Sequence, residues 1–274
     1  MPRARQDGCA AATLPGLAGS AAPELEEYGM QLHVNLIEQA PLALWLSRNA
    51  GLGVAAAALT MSGSEAGAAT LGQFRFEDMR ANGVEMRRDA EGIRVSMPRT
   101  AWQDPVRQPL ADRDYMAVVP ADFHNGVIEV DVKGSLAPGA PEFARAFVGI
   151  AFRIAAGKFE QFYIRPTNGI AEDQVRRNHS VQYVSYPDYR FDRLRREAPE
   201  RFETAADIAP DRWVHMRIEV AGSEARLYLD RRTNPTMIVK DLKLGAAQRG
   251  AIGLWVETAT IAHFRNLKVT PAGR

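Results

Sequence analysis

Trp213-Val214-His215-Met216-Arg217-Ile218-Glu219-Val220, the turn Ala221-Gly222-Ser223 and Glu224-Ala225-Arg226-Leu227-Tyr228-Leu229 decide the fold. Val214, Met216, Ile218 and Val220 alternate with His215, Arg217 and Glu219. A period of two sends successive side chains to opposite faces of a strand, so one face is apolar and the other polar. The short break carrying Gly222 supplies a hairpin connection. Working outward, alternating or short apolar runs recur at 236–239, 251–256 and 262–269, and in the other direction at 159–165, 147–154, 127–133, 115–119, 92–97, 83–86 and 74–76. Strands spaced by about ten residues, with turn signals between them, predict an all-β protein. The expected architecture is a jelly-roll β-sandwich of two antiparallel sheets over residues 70–274, preceded by an irregular or short-helical extension over 1–69.

Local patterns sharpen this. The run 147–154 is apolar at nearly every position, which predicts a central strand covered on both faces. It should pair antiparallel with 159–165 across a hairpin-length connection. In 127–133 the valines at 127, 130 and 132 do not share parity, which predicts a slip or bulge near Val127. Residues 181–184 form a strand inside a polar segment, and the charged stretch 191–201 is a loop or a short helix.

Composition narrows the function. The chain of 274 residues carries 34 Lys and Arg against 33 Asp and Glu. That balance lacks the basic footprint of phosphate binding, and no nucleic-acid partner is expected. The one cysteine, Cys9, can neither staple the fold nor build a thiolate metal site. The apolar run 52–61 follows Arg48 and leads into small residues ending Ala66-Gly67-Ala68, the layout of an export signal and its cleavage site. Translation from Met30 would bring it nearer a start; a cytoplasmic extension is the other reading. The run is too short and Gly-rich for a stable membrane span. Export predicts a secreted or periplasmic protein.

Residues 165–188, Arg-Pro-Thr-Asn-Gly-Ile-Ala-Glu-Asp-Gln-Val-Arg-Arg-Asn-His-Ser-Val-Gln-Tyr-Val-Ser-Tyr-Pro-Asp, crowd guanidinium, amide, imidazole, phenol and carboxylate groups between two strands. Planar hydrogen-bonding forks and aromatic faces suit a polyhydroxylated or acidic ligand, so an oligo- or polysaccharide is the expected partner. The ligand surface is assigned to Arg165, Asn168, Gln174, Arg176, Asn178, Gln182, Tyr186 and Asp188, with Glu129 and Asp131 at its edge. Tyr183, Tyr186, Tyr189 and Phe191 would offer stacking faces.

Trp213 opening a strand, the hairpin that follows, Gly250-Ala251-Ile252-Gly253-Leu254-Trp255-Val256 and Phe264-Arg265-Asn266-Leu267-Lys268-Val269 resemble the final strands of the concanavalin A-like lectin and glucanase superfamily, with its laminin-G-like and 3-keto-disaccharide-hydrolase-like members. The polar segment resembles that of uncharacterised exported bacterial members. The superfamily hosts lectins, glycoside hydrolases, polysaccharide lyases and adhesion modules, so binding and turnover both stay open. Its retaining glucanases carry three alternating carboxylates on one strand. Here Glu129 and Asp131 are followed by Lys133 and Gly134, and the proton donor is missing. Elimination from a uronic acid needs a cation, a base and an acid, for which Arg177, His179 and Tyr183 are the candidates. If 179–183 is extended, His179 and Tyr183 share a face.

The second reading is a non-catalytic docking or scaffold domain of an exported complex, its loop bridged internally through Glu172 or Asp173. His124, His215 and His263 lack paired spacing and are expected to be ordinary strand residues. No cofactor is expected. A structural calcium stays open, with Asp131, Asp188, Asp211 and Asn266 as conceivable ligands but no calcium-loop motif.

Overall fold

Two faces of alternating strands bury one core. The computed structural model describes residues 74–273. The expectations for 1–69, including the export signal, Met30 and Cys9, fall outside the described residues. The strands are β1 (Arg80–Asn82), β2 (Glu85–Asp89), β3 (Gly92–Ser96), β4 (Met116–Phe123), β5 (Gly126–Leu136), β6 (Val148–Ala155), β7 (Lys158–Ile164), β8 (Val181–Tyr186), β9 (Glu203–Thr204), β10 (Val214–Ala221), β11 (Glu224–Leu229), β12 (Met237–Val239), β13 (Gly250–Val256) and β14 (Thr260–Pro271). Three short helices, α1 (Pro166–Gly169), α2 (Gln174–Asn178) and α3 (Phe191–Glu197), decorate them.

The strands form two seven-stranded sheets, ordered β1-β4-β13-β6-β7-β8-β9 and β12-β11-β10-β5-β14-β3-β2. Every pairing is antiparallel, the jelly-roll β-sandwich expected. Val130, Val132, Met216 and Ile218 of the second sheet and Ile150, Phe152, Phe162 and Leu254 of the first are fully buried. Burying one such side chain is worth about 1.5–3 kcal/mol.

β6 is the middle strand of its sheet and is buried on both faces over Val148–Arg153, as its apolar run predicts. It pairs antiparallel with β7. No slip is needed at Val127: Ile128 takes the inward position with Val130 and Val132, and Val127 is half-buried on the other face. The register of β5 against β10 runs unbroken through Val127, and the irregularity lies instead in β14 between Arg265 and Lys268. The expected strand at 74–76 gives way to a 3-10 turn at Phe76–Asp78, where the Asp78 carboxylate takes the Arg75 guanidinium at 2.9 Å and rewards a closed backbone.

A bulge in β6 between Phe152 and Ala155 carries Arg153 at φ +56°. Its fully buried guanidinium donates to the carbonyls of His124 (2.8 Å), Gly222 (2.9 Å) and Gly245 (3.1 Å) and to Asn125 Oδ1 (2.9 Å). One side chain thus gathers the β4–β5 turn, the β10–β11 turn and the loop before β13.

Candidate functional site

The first sheet has a second buried face, turned away from the core. Trp255, Gly149, Tyr163 and Gln182 are cross-strand neighbours on β13, β6, β7 and β8, and all but the glycine are wholly buried side chains. Gly149 has a structural reason: a Cβ there would lie 2.4 Å from the Tyr163 Cβ. Its bare backbone lets the Tyr163 and Trp255 rings meet across it at 4.8 Å. Phe147 closes edge-on against both, at 6.2 and 6.4 Å.

These rings anchor what covers them. The Trp255 indole donates to the Arg113 carbonyl at 2.6 Å, and the Tyr163 hydroxyl donates to Asp112 Oδ1 at 2.8 Å. The other Asp112 oxygen accepts the Phe191 backbone N–H at 2.8 Å, fixing the start of α3. Gln103 braces its own loop by donating to the Ala111 carbonyl and accepting the Ala111 N–H. Between loop 103–112, the strand lead-in 143–147, the segment 165–179, α3 and residues 257–258 lies a cavity of about 810 Å³. Phe143, Phe147 and Phe191 supply its aromatic faces, and Arg145, Arg165, Arg176 and Arg195 its cations.

Arg165 is buried and spends its guanidinium on the His179 carbonyl (2.9 Å), the Tyr163 hydroxyl (2.7 Å) and Gln182 Oε1 (3.2 Å). Glu203, whose side chain is 4% exposed, receives Arg195 at 2.8 and 2.5 Å and lies 3.8 Å from Arg165. His179 Nδ1 sits 2.6 Å from Glu203 Oε2 without hydrogen-bond alignment. Burial would raise the Glu203 carboxyl, but the bonds and charge of Arg195, then the charges of Arg165 and His179, outweigh it and hold it below the ordinary range. Burial lowers the His179 imidazole, and Arg195 and Arg165 add to that against the pull of Glu203. A neutral imidazole with Nδ1 facing a carboxylate leaves Nε2 outside that contact. Burial pushes Asp112 up, and it pushes the Tyr163 phenol well up, so Tyr163 stays protonated and serves as a donor.

Of the residues expected in the segment, Arg165, Asn168, Arg176 and His179 line the cavity. Gln182 stands behind Arg165 as its acceptor. The others are placed elsewhere. Tyr183 faces the core between the sheets, its hydroxyl donating to the buried Glu160 at 2.6 Å and accepting the Lys243 N–H at 3.0 Å. His179 does not share its face, because His179 ends α2 at φ −96°, ψ 28° and β8 begins only at Val181. Arg177 is exposed and reaches back to the Ala171 carbonyl at 3.1 Å. Gln174 and Asn178 bond each other on the exposed side of α2. Tyr186 stacks on Phe159 at 4.8 Å, and the Asp188 carbonyl receives Arg193.

Glu129 and Asp131 sit on the outer face of the second sheet, in a different sheet from the segment. Asp131 takes His215 Nδ1 at 2.8 Å, Asn266 at 2.7 Å and Arg265 at 3.4 Å, a donor-rich setting with Trp213 under Arg265 at 3.9 Å. Among the described residues no group of three or more His, Cys, Asp or Glu could hold a metal ion, and no helix is long and apolar enough to cross a membrane.

Sequence reasoning missed Asp112, Arg145, Phe147, Tyr163, Arg195 and Glu203. The spacings Arg145-x-Phe147 and Tyr163-x-Arg165, two residues apart on strand or strand lead-in, were the available signal.

No family model and no curated protein matches this chain. Among solved structures it is similar to the carbohydrate-binding module CBM66 from Bacillus subtilis, at 14% identity over 70% of this chain and 96% of that one, with a TM-score of 0.47. A Bacillus subtilis protein of unknown function with a galectin-like fold matches at 14% identity over 72% and 91%, TM-score 0.46. Domain 4 of an extracellular arabinanase from Geobacillus stearothermophilus, solved with arabinotriose, matches at 7% identity over 71% and 82%, TM-score 0.38. At these values the architecture is read from this chain's own strand order, and its chemistry from its own cavity.

Proposed function

We propose that this protein binds, or binds and processes, an oligo- or polysaccharide in the cavity over Tyr163 and Phe147. One observation carries the reading: the cavity joins the aromatic faces of Phe143, Phe147 and Phe191 to the guanidinia of Arg145 and Arg176, which neutral acceptors hold in place on its lining. Aromatic faces stack on the C–H side of a sugar ring, and guanidinium and amide forks bond its hydroxyls. A docking patch, the second reading, needs no cavity of this volume. Turnover would use His179 as base with Arg165 and Arg195 fixing its surroundings: in an elimination it takes the α-proton while water protonates the departing oxygen.

The test is a glycan array with the full chain, followed by ultraviolet-absorbance and reducing-end assays, with H179A beside it. Binding with unsaturated product lost in H179A supports a lyase, and reducing ends without absorbance support a hydrolase. Binding with neither supports a lectin-like module. Silence on the array with capture of a protein partner would support docking instead. Export to a secreted or periplasmic location is part of the same proposal, resting on residues 52–69. N-terminal sequencing of the mature protein checks it, with cleavage after Ala68 expected.

A further inference from the structure

The four arginines on the cavity wall are not equivalent. Arg195 is spent on Glu203, and Arg165 lies within reach of the same carboxylate. Arg145 and Arg176 have no carboxylate within ion-pairing distance among the described residues. Arg145 donates to the carbonyls of Glu142 (2.5 Å) and Ala144 (2.9 Å). Arg176 donates to Asn168 Oδ1 (3.1 Å) and Thr167 Oγ1 (3.4 Å). Neutral acceptors hold both guanidinia in place without cancelling their charge.

The acidic side chains of the cavity are committed elsewhere. Asp112 answers Tyr163 and Phe191, Glu257 is paired with Arg113, and Asp173 accepts the Arg176 backbone N–H to cap α2. Burial first, then the charges of Arg176 and Arg165, pull the Arg145 guanidinium below its ordinary range against a smaller upward pull from Glu142. Like charges kept together in a half-buried cavity cost stability unless an anion arrives to relieve them.

Resting on the carbohydrate reading above, we infer that the saccharide is acidic, and that an anionic substituent on its ring, a carboxylate or a sulfate ester, is seated between Arg145 and Arg176. Guanidinium forks match such oxyanions with paired charge-assisted bonds. The ring itself then falls against the phenylalanine faces, and the neighbouring His179 reaches its hydroxyls.

The experiment titrates the full chain, by calorimetry, with three oligosaccharides: an oligogalacturonate, the same oligomer with its carboxyls reduced to alcohols, and a sulfated galactan oligomer. The expected result is binding of at least one acidic oligomer at least tenfold tighter than the carboxyl-reduced one, with affinity falling as salt is raised. R145Q and R176Q should erase that preference, and R176K should keep part of it, which separates lost charge from lost folding. The uronate or the sulfated arm, whichever binds, names the source of the anion. Equal binding of the carboxyl-reduced and acidic oligomers would overturn the charge inference while leaving the carbohydrate reading intact. Binding of none of the three, with silence on the neutral array, would sink both.

Discussion

Replacing Glu203 tests whether the cavity wall is held by charge. Its carboxylate, with a side chain 4% exposed, takes two bonds from Arg195, touches His179 at 2.6 Å and lies 3.8 Å from the buried Arg165. In Glu203→Ala both arginines keep their charge and lose their counterion. Breaking a buried pair from one side costs about 3–5 kcal/mol, because the remaining charge is uncompensated. Arg195 is 38% exposed and water relieves part of its loss, so the lower end, about 3 kcal/mol, is expected. For a domain of this size about 2–4 °C of Tm corresponds to each kcal/mol, giving a drop of about 6–12 °C by calorimetry at pH 7. The exposed pair Arg193 and Glu197 is the control, and Arg193→Ala should shift Tm by under about 3 °C. The pH dependence carries the sign. Glu203 has a folded value below its unfolded one, so its stabilisation is present above the unfolded value of about 4.3 and is lost as pH falls through the folded one. The gap between wild type and variant should therefore be full at pH 7 and close progressively on acidification below about pH 4. A gap under about 2 °C at pH 7, or one that stays constant into acid, would refute the reasoning.

Further outcomes follow from the same geometry. Gly149→Ala places a methyl 2.4 Å from the Tyr163 Cβ, and should cost about 1–3 kcal/mol in urea unfolding and weaken saccharide binding by tilting the cavity floor. Tyr183→Phe removes a hydroxyl that serves Glu160 and the Lys243 N–H, and should cost about 1–3 kcal/mol while leaving ligand affinity unchanged, since the ring faces the core. Arg153→Met strips donors from three carbonyls and Asn125; a loss of about 3–5 kcal/mol, read by thermal unfolding, is expected, and a neutral result would show that the turns hold themselves.

The strands were legible where one face is buried and the other wet, as in β10 and β11, and where both faces are buried, as in β6. A part of the cavity wall was legible too, because Arg165, Asn168, Arg176 and His179 crowd one polar segment. Reading 179–183 as extended put His179 and Tyr183 on one face, which the structure does not do. The Asp173 side chain caps Arg176 N–H at 2.7 Å and winds α2, and a helical turn breaks the two-residue parity on which the pairing of His179 with Tyr183 depended. Asp112 was hidden for another reason. It lies in an irregular stretch with no period to read, and its worth comes from partners 51 and 79 residues away in the chain. Glu129 and Asp131 carried the right chemistry on the wrong sheet, which alternation along one strand cannot reveal.

The strand order has a consequence for how the chain is made. β4 and β6 are joined only through β13, and the β2–β3 hairpin reaches β5 only through β14. Both sheets are therefore stitched shut by residues 250–271, which are made after the other twelve described strands. At about 5–20 residues per second the emerging polypeptide spends many seconds as separate half-sheets whose unpaired edges invite association with other chains. Nascent chains should thus depend on a holdase until the last strands emerge.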